Sequence, residues 1–263
     1  MTINPDTKKI LLVDADYFIF RASSSVQKDI DWGGGLWTCH ADANEAIAVF
    51  KEMIDGDVIL GFWSQYDYEV VMCLSDPDDN FRKHINPDYK SNRKNSRKPC
   101  CYNGVVEWVK ENYHCVSKKS LEADDVIGIL ATTPSDEERD IIIVSPDKDF
   151  YTIPDTYFYR VTTGEITYNT KEDAEYAHML QTLTGDLTDG YRGCPSYGKV
   201  KANKVLKKAR EDKKDLWETV LKAYLKAGLT EEDALLNARM AFILTADFYD
   251  SKAEKPILWV PKK

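Results

Sequence analysis

Apolar residues come along this chain in short blocks. Ile10 to Val13, Val70 to Leu74 and Ile141 to Val144 are unbroken apolar runs of the length expected for strands buried on both faces. Acid follows each run: Asp14 after the first, Asp76 after the second, Asp147 and Asp149 after the third. Elsewhere the apolar positions recur at helical spacing. Ala43, Ile47, Phe50 and Ile54 predict a helix within 41–55, and Val105, Val106, Trp108 and Val109 predict one from Tyr102 to Tyr113. Tyr17 to Ala22 reads as a helix start carrying Arg21. A further helix opens near Glu122, Asp124 and Asp125, with Ser120 as its expected N-cap. Tyr151 to Ile166 alternates like a strand. Helices are expected at Lys171 to Leu183, from Lys199, at Leu216 to Ala227 and at Thr230 to Thr245, where Thr230 and Asp233 form a capping box. The tail from Pro256 reads as a last strand or an ordered extension. Residues 23–40 show no period; Gly33, Gly34 and Gly35 are a loop between Trp32 and Trp37.

Strands joined through helices pair in parallel, and a parallel sheet puts the three strand ends on one edge. Asp14, Asp76, Asp147 and Asp149 then converge, with the helix carrying Glu122 laid over them. Glu122 and Asp125 are three apart and share a helix face; Asp186 and Asp189 repeat that spacing. Such a cluster repels itself, and divalent cations are the simplest remedy.

Composition narrows the chemistry. At 263 residues the chain suits one large domain or one and a half. It has no run of about 18 apolar residues and no signal-peptide pattern, which leads us to expect a cytoplasmic protein. Six cysteines without a C-x-x-C pair, and four scattered histidines, argue against zinc and against a disulfide framework. Metal would sit among oxygen ligands, which favours Mg²⁺ or Mn²⁺.

The net charge of −9 speaks against a nucleic-acid partner until the distribution is considered. Between Phe81 and Pro99 stand Arg82, Lys83, Lys90, Arg93, Lys94, Arg97 and Lys98 against the single acid Asp88, with Tyr89 beside Lys90. After a carboxylate cluster, such a run suits phosphate. A second basic stretch follows Gly198: Lys199, Lys201, Lys204, Lys207 and Lys208 on one helix, whose first amides suit a phosphodiester backbone.

Taken in order, these boxes resemble the flap-endonuclease / 5′→3′ exonuclease family, and its bacteriophage members in particular. L-L-V-D-A-D with Arg21, L-S-D at Asp76, Y-K-S-N-R at Tyr89, Lys90, Asn92 and Arg93, E-A-D-D at Glu122, S-P-D-K-D at Asp147, and G-D-L-T-D-G at Asp186 follow the family's sequence of motifs across nearly the whole chain. Ala15 and Ser196 stand where the family usually has Gly, Gly190 where it has Asn, and Val200 where Lys is frequent.

The resemblance implies an α/β fold: a PIN-like (resolvase-like) nuclease core over 1–170 with a mostly parallel sheet and a helical arch, then a helical, SAM-like helix-turn-helix DNA-binding module over 171–263. It implies two Mg²⁺, replaceable by Mn²⁺, clamping the scissile phosphate. Asp14, Asp76, Glu122, Asp124 and Asp147 would serve the first ion, and Asp125, Asp149, Asp186 and Asp189 the second. Asp14, Asp76 and Asp147, with Lys90 and Arg93 on the phosphate, form the implied catalytic set. Arg21, Tyr89 (stacking on a base), Asn92, Lys94, Arg97, Lys98, Gly198, Lys199, Lys201 and Lys204 would hold nucleic acid. K⁺ at the helical hairpin is implied too. The expected partner is double-stranded DNA with 5′ ends, nicks or flaps, or an RNA:DNA hybrid, met by a monomer and no membrane, in the host cytoplasm for a phage-encoded protein. Two other readings are an aspartyl phosphatase with Asp14 as nucleophile and a non-catalytic DNA-binding protein.

Overall fold

A computed structural model describes residues 3–60, 63–93 and 96–262. In chain order, β1 (Lys8–Asp14) leads into α1 (Ala15–Val26), a hairpin of β2 (Lys28–Asp31) and β3 (Trp37–His40), and α2 (Ala43–Glu52), which continues as a wider turn over Met53–Leu60. Then come β4 (Tyr68–Leu74), α3 (Phe81–Ile85), α4 (Tyr102–Asn112), β5 (His114–Ser117), α5 (Ala123–Thr132) and β6 (Arg139–Ser145). The chain goes on through β7 (Thr156–Arg160) and β8 (Glu165–Asn169), then α6 (Lys171–Thr184), α7 (Lys199–Glu211), α8 (Leu216–Lys226) and α9 (Glu231–Ala241). Two-residue strands β9 (Tyr249–Asp250) and β10 (Lys255–Pro256) close it.

The main sheet has the order β5-β4-β1-β6-β7-β8. Every neighbouring pair is parallel except β7 with β8. β1 is central, so Leu11 and Val13 face one layer of helices and Ile10 and Leu12 the other. α1, α2 and α4 pack with Leu11, Val13, Met72 and Val144; α5 packs with Ile10, Leu12, Val71 and Ile143. This two-sided burial is why the three strands read as unbroken apolar runs. Val126 and Ile127 of α5 are fully buried, which stabilises the fold by roughly 1.5–3 kcal/mol each.

Helices α6 to α9 form a second core around Leu183, Leu206, Val220 and Tyr224. Trp259 joins the two cores: its ring meets Trp217, His178 and Phe242. No helix among the described residues is long and apolar enough to cross a membrane.

Three expectations are corrected. The helix predicted to reach Thr245 stops at Ala241. Phe242 to Leu244 run as extended chain because their backbone is needed elsewhere: the Phe242 carbonyl accepts from Arg82 and the Leu244 amide donates to Asp125. Gly128 permits that approach, since a Cβ there would lie 2.3 Å from the Leu244 carbonyl oxygen. The Tyr151 to Ile166 stretch is divided into a 3-10 turn (Lys148–Thr152) and the β7–β8 hairpin. Ser120 is not the N-cap of α5; Glu122 is, in a capping box with Asp125. Between β4 and α4 the described residues hold α3 and one 3-10 turn, at Ser91–Arg93.

Candidate active site

Parallel pairing delivers the expected edge. Asp14 ends β1, and its carboxylate accepts from the Ser145 hydroxyl at the end of β6, 2.9 Å away, and from the Tyr17 amide. Asp147 and Asp149 follow on the next turn, where Asp147 caps the 3-10 turn through the Asp149 amide at 2.9 Å. Asp124 comes from the first turn of α5.

Lys148 pairs with Asp149 at 3.1 Å, but Asp14, Asp124 and Asp147 repel one another. Burial, then Asp16 and Asp147, push the Asp14 carboxyl up to about 7, against the hydrogen bonds from Ser145 and Tyr17. Burial, then Asp14, raise Asp124 well above the usual carboxylate range; Glu122 and Asp147 add to this and Lys90 opposes it. Burial and Asp149 raise Asp147. Residues more than a hundred positions apart therefore feel one another's charge. Asp76, expected with them at the strand ends, is not among them.

Glu122 has the opposite setting. Burial works against its ionisation, but Lys90 and then Arg82 hold it at about 2. One of its oxygens takes the Lys90 ammonium; the other takes the Tyr89 hydroxyl at 2.8 Å and Arg82 at 3.3 Å. Asp189 receives Arg93 at 2.8 Å and lies 3.8 Å from Lys90. Burial raises Asp189, Lys90 and Arg93 oppose that, and Glu122 and Asp186 add to it. Asp186 spends one oxygen on the amides of Thr188 and Asp189. Asp149 accepts from Gln181 at 2.8 Å, and the same amide donates to the Tyr191 hydroxyl.

Several expected residues stand elsewhere. Asp125 is fully buried with both oxygens on Arg82, at 2.6 and 2.8 Å, so it faces the core and not the acid cluster. Arg82, counted among the phosphate-facing bases, is its buried partner. Asp76 gives its carboxylate to the amides of Ser120 (2.6 Å) and Asp78 (3.0 Å), tying two loops together. The acid beside Asp14 is instead Asp16, which accepts from the Ser75 amide and the Tyr102 hydroxyl. Tyr89, expected to stack on a base, is only 3% exposed and packs against Tyr191, Met240 and Ala241.

The remaining bases are at the surface. Arg21, Asn92, Arg93, Arg97 and Lys98 are exposed; Asn92 also donates to the Thr188 carbonyl, and Lys98 lies over the Tyr102 ring. Lys94 lies outside the described residues. Gly198 caps α7, from which Lys199, Lys201 and Lys204 project into solvent, with Lys201 over the Tyr197 ring.

Sequence reasoning missed Asp16, Ser145 and Gln181 as site residues. The D-A-D doublet was a signal for the first and the leading serine of S-P-D-K-D for the second; Gln181 carried none. Among the described residues no three acidic, histidine or cysteine side chains already close on one point at metal-ligand distance. The donor set is nonetheless hard oxygen with surplus negative charge, which fits Mg²⁺ or Mn²⁺.

Comparison with known proteins bears on this arrangement. Residues 9–179 match the family described as 5′-3′ exonuclease, N-terminal resolvase-like domain. The chain is 32% identical to the exodeoxyribonuclease of Enterobacteria phage T3, over 98% of this chain and 94% of that one. It is also 32% identical to the exonuclease of Escherichia phage T7, over 97% and 95%. In fold it is similar to the bacteriophage T5 D15 flap endonuclease, solved as a pseudo-enzyme-product complex with DNA and metal ions: TM-score 0.59, 17% identity, covering 89% of this chain and 88% of that one.

Proposed function

The chain belongs to the 5′-3′ exonuclease family and is a 5′-3′ nuclease, and from that premise we propose that it removes 5′-phosphate nucleotides from the 5′ end of double-stranded DNA in phage replication or DNA breakdown. Nicked and flapped duplexes, and the RNA of RNA:DNA hybrids, belong to the same proposal. So do monomeric action in the host cytoplasm and a division of labour between a catalytic part, 1–170, and a DNA-gripping part, 171–263.

One observation carries the reading: Asp14, Asp124 and Asp147 are close enough to raise one another's carboxyl groups, Asp14 being tied to the end of β6 through Ser145, with Lys90 near Asp124. Capping and solubility would not need acids in that position. Asp14, Asp124 and Asp147, with Glu122 at the side, would hold one Mg²⁺; Asp149, Asp186 and Asp189 would hold a second. Bound divalent cations would supply Lewis acidity and an ionised water. Lys90 is a half-buried cation against Glu122, and its ammonium would meet a phosphate drawn to those acids as charge develops there. Arg93, more exposed, would orient the same group in bidentate fashion. Tyr89 holds Glu122 in place instead of stacking on a base. The acid is then fixed before substrate arrives.

Exposed Lys199, Lys201 and Lys204 at the start of α7 would track the duplex backbone, with amides near Gly198 meeting phosphate. K⁺ in the α6–α7 turn is part of the proposal. Ser196, where the family usually has Gly, takes a φ of +65° in that turn.

The aspartyl-phosphatase reading has Asp14 as nucleophile and leaves Lys90 and Arg93 without a role. The test is cleavage of 5′- and 3′-labelled blunt, nicked and flapped duplexes with Mg²⁺ or EDTA. We expect Mg²⁺-dependent loss from the 5′ end, and no cleavage by the Asp147→Asn, Asp149→Asn double variant while it still folds. Full activity of that variant would refute the assignment.

A further inference from the structure

The two acid sets differ in what already neutralises them. Asp14, Asp124 and Asp147 repel one another, whereas each acid of the second set is engaged from within the chain. Asp189 takes Arg93 at 2.8 Å. Asp186 spends one oxygen on the amides of Thr188 and Asp189, at 2.7 and 3.3 Å. Asp149 has both oxygens occupied, one by the Gln181 amide at 2.8 Å and the other by the Lys148 ammonium at 3.1 Å. Lys148 opens the 3-10 turn that Asp147 caps and that carries Asp149, so its backbone is fixed between two acids. Asp147 and Asp186 also lie close enough to act on its charge. Its side chain is 58% exposed and that of Asp149 only 18%, so the ammonium reaches in from solvent. Lys90 and Arg93 are suited to phosphate; Lys148 is the cation set against Asp149.

We propose that the Lys148 ammonium is the internal counter-ion of the second acid set, and that a divalent ion entering Asp149, Asp186 and Asp189 must displace it. The inference rests on the two-cation reading above. Asp149 can offer an ion an oxygen only by giving up one of its two partners. Gln181 comes from α6 and shares its amide between Asp149 and the Tyr191 hydroxyl, so it is held from two sides. Lys148 is a point charge on a flexible stem, and it is the partner that an incoming like charge repels. The ammonium therefore leaves and the amide stays. Lys148 neutralises Asp149 before metal arrives, at a cost in affinity for the second ion. The effect falls mainly on that ion, because the ammonium is paired to Asp149.

The test counts Mn²⁺ bound to the full chain without DNA, by electron paramagnetic resonance of the free ion. Lys148→Met keeps an apolar stem and removes the charge. In it the second ion should bind about 10-fold more tightly, the scale of a unit charge a few ångströms from a divalent ion in water-like surroundings, and the first should change less than about 3-fold. A second ion seen only in Lys148→Met is the limiting form of the same result. Lys148→Arg keeps the charge and should stay within about 3-fold of the unsubstituted chain. Adding Asp149→Asn to Lys148→Met should abolish the gain, which assigns it to this set. Labelling of Lys148 by an amine-reactive reagent, read by mass spectrometry, should quicken as Mn²⁺ saturates the second site. Equal second-ion affinity in Lys148→Met and the unsubstituted chain, an equal gain at both ions, a gain that survives Asp149→Asn, or unchanged labelling would overturn the proposal. If none of these chains binds a second Mn²⁺, the two-cation reading fails and takes this one with it. Two ions bound with affinities indifferent to Lys148 sink this one alone.

Discussion

Arg82 and Asp125 form a buried two-pronged ion pair, with nitrogen to oxygen distances of 2.6 and 2.8 Å, and the Arg82 guanidinium also donates to the Phe242 carbonyl. The pair pins the start of α5 to α3 and to the chain leaving α9. It holds Glu122 and Asp124, which come just before Asp125 in the chain, at the sheet edge. Removing one partner leaves an unpaired charge in the core. Arg82→Ala should therefore destabilise the fold by about 3–5 kcal/mol, measured by urea denaturation. A loss below about 1 kcal/mol, the scale of a surface pair, would show that the site does not depend on this anchor.

Lys90 is expected to act on the rate. Its ammonium is part-buried against Glu122, so Lys90→Ala removes charge at the place where phosphate would be attacked. The turnover rate should fall more than duplex affinity, as measured by single-turnover kinetics beside equilibrium binding in Ca²⁺. A drop in affinity alone would make Lys90 an electrostatic anchor.

The acid cluster predicts a pH dependence for the metal-free protein. Folded Asp14 keeps its proton up to about pH 7, whereas an unfolded aspartate loses it near about pH 4. Between those values the folded chain binds more protons than the unfolded one. The contribution of Asp14 is fully present below about pH 4 and is lost as pH rises through 7. Glu122, held at about 2, acts in the opposite sense but only in strong acid. Thermal melts in EDTA should fall between pH 5 and pH 8, and Mg²⁺ should restore the melting temperature at pH 8. A flat profile in EDTA would mean that Asp14 is not in a crowded, buried site.

Much of this was legible in the sequence because parallel strands write their burial plainly. Ile10 to Val13 and Ile141 to Val144 are apolar on both faces, and the acid after each marks the functional edge. What was not legible is which way an acid turns. Asp124 and Asp125 are neighbours on a helix about 100° apart; one faces the cluster and the other the core, and only the position of Arg82 decides between them. Asp76 looked like Asp14 in its setting, yet its oxygens are taken by loop amides whose course no local pattern reveals. Tyr89 sits in a basic run that reads as surface. It is buried because the turn at Tyr191 and the end of α9, about a hundred residues or more further on, close over it.

Asp14, Asp124 and Asp147 are expected to share one cation. Crystals soaked in Mn²⁺ and measured at the manganese absorption edge test this most directly. The expected result is an anomalous peak within about 2.0–2.6 Å of oxygens from these carboxylates, the range for hard divalent ions. Anomalous peaks elsewhere on the molecule, with none beside these three residues, would contradict it.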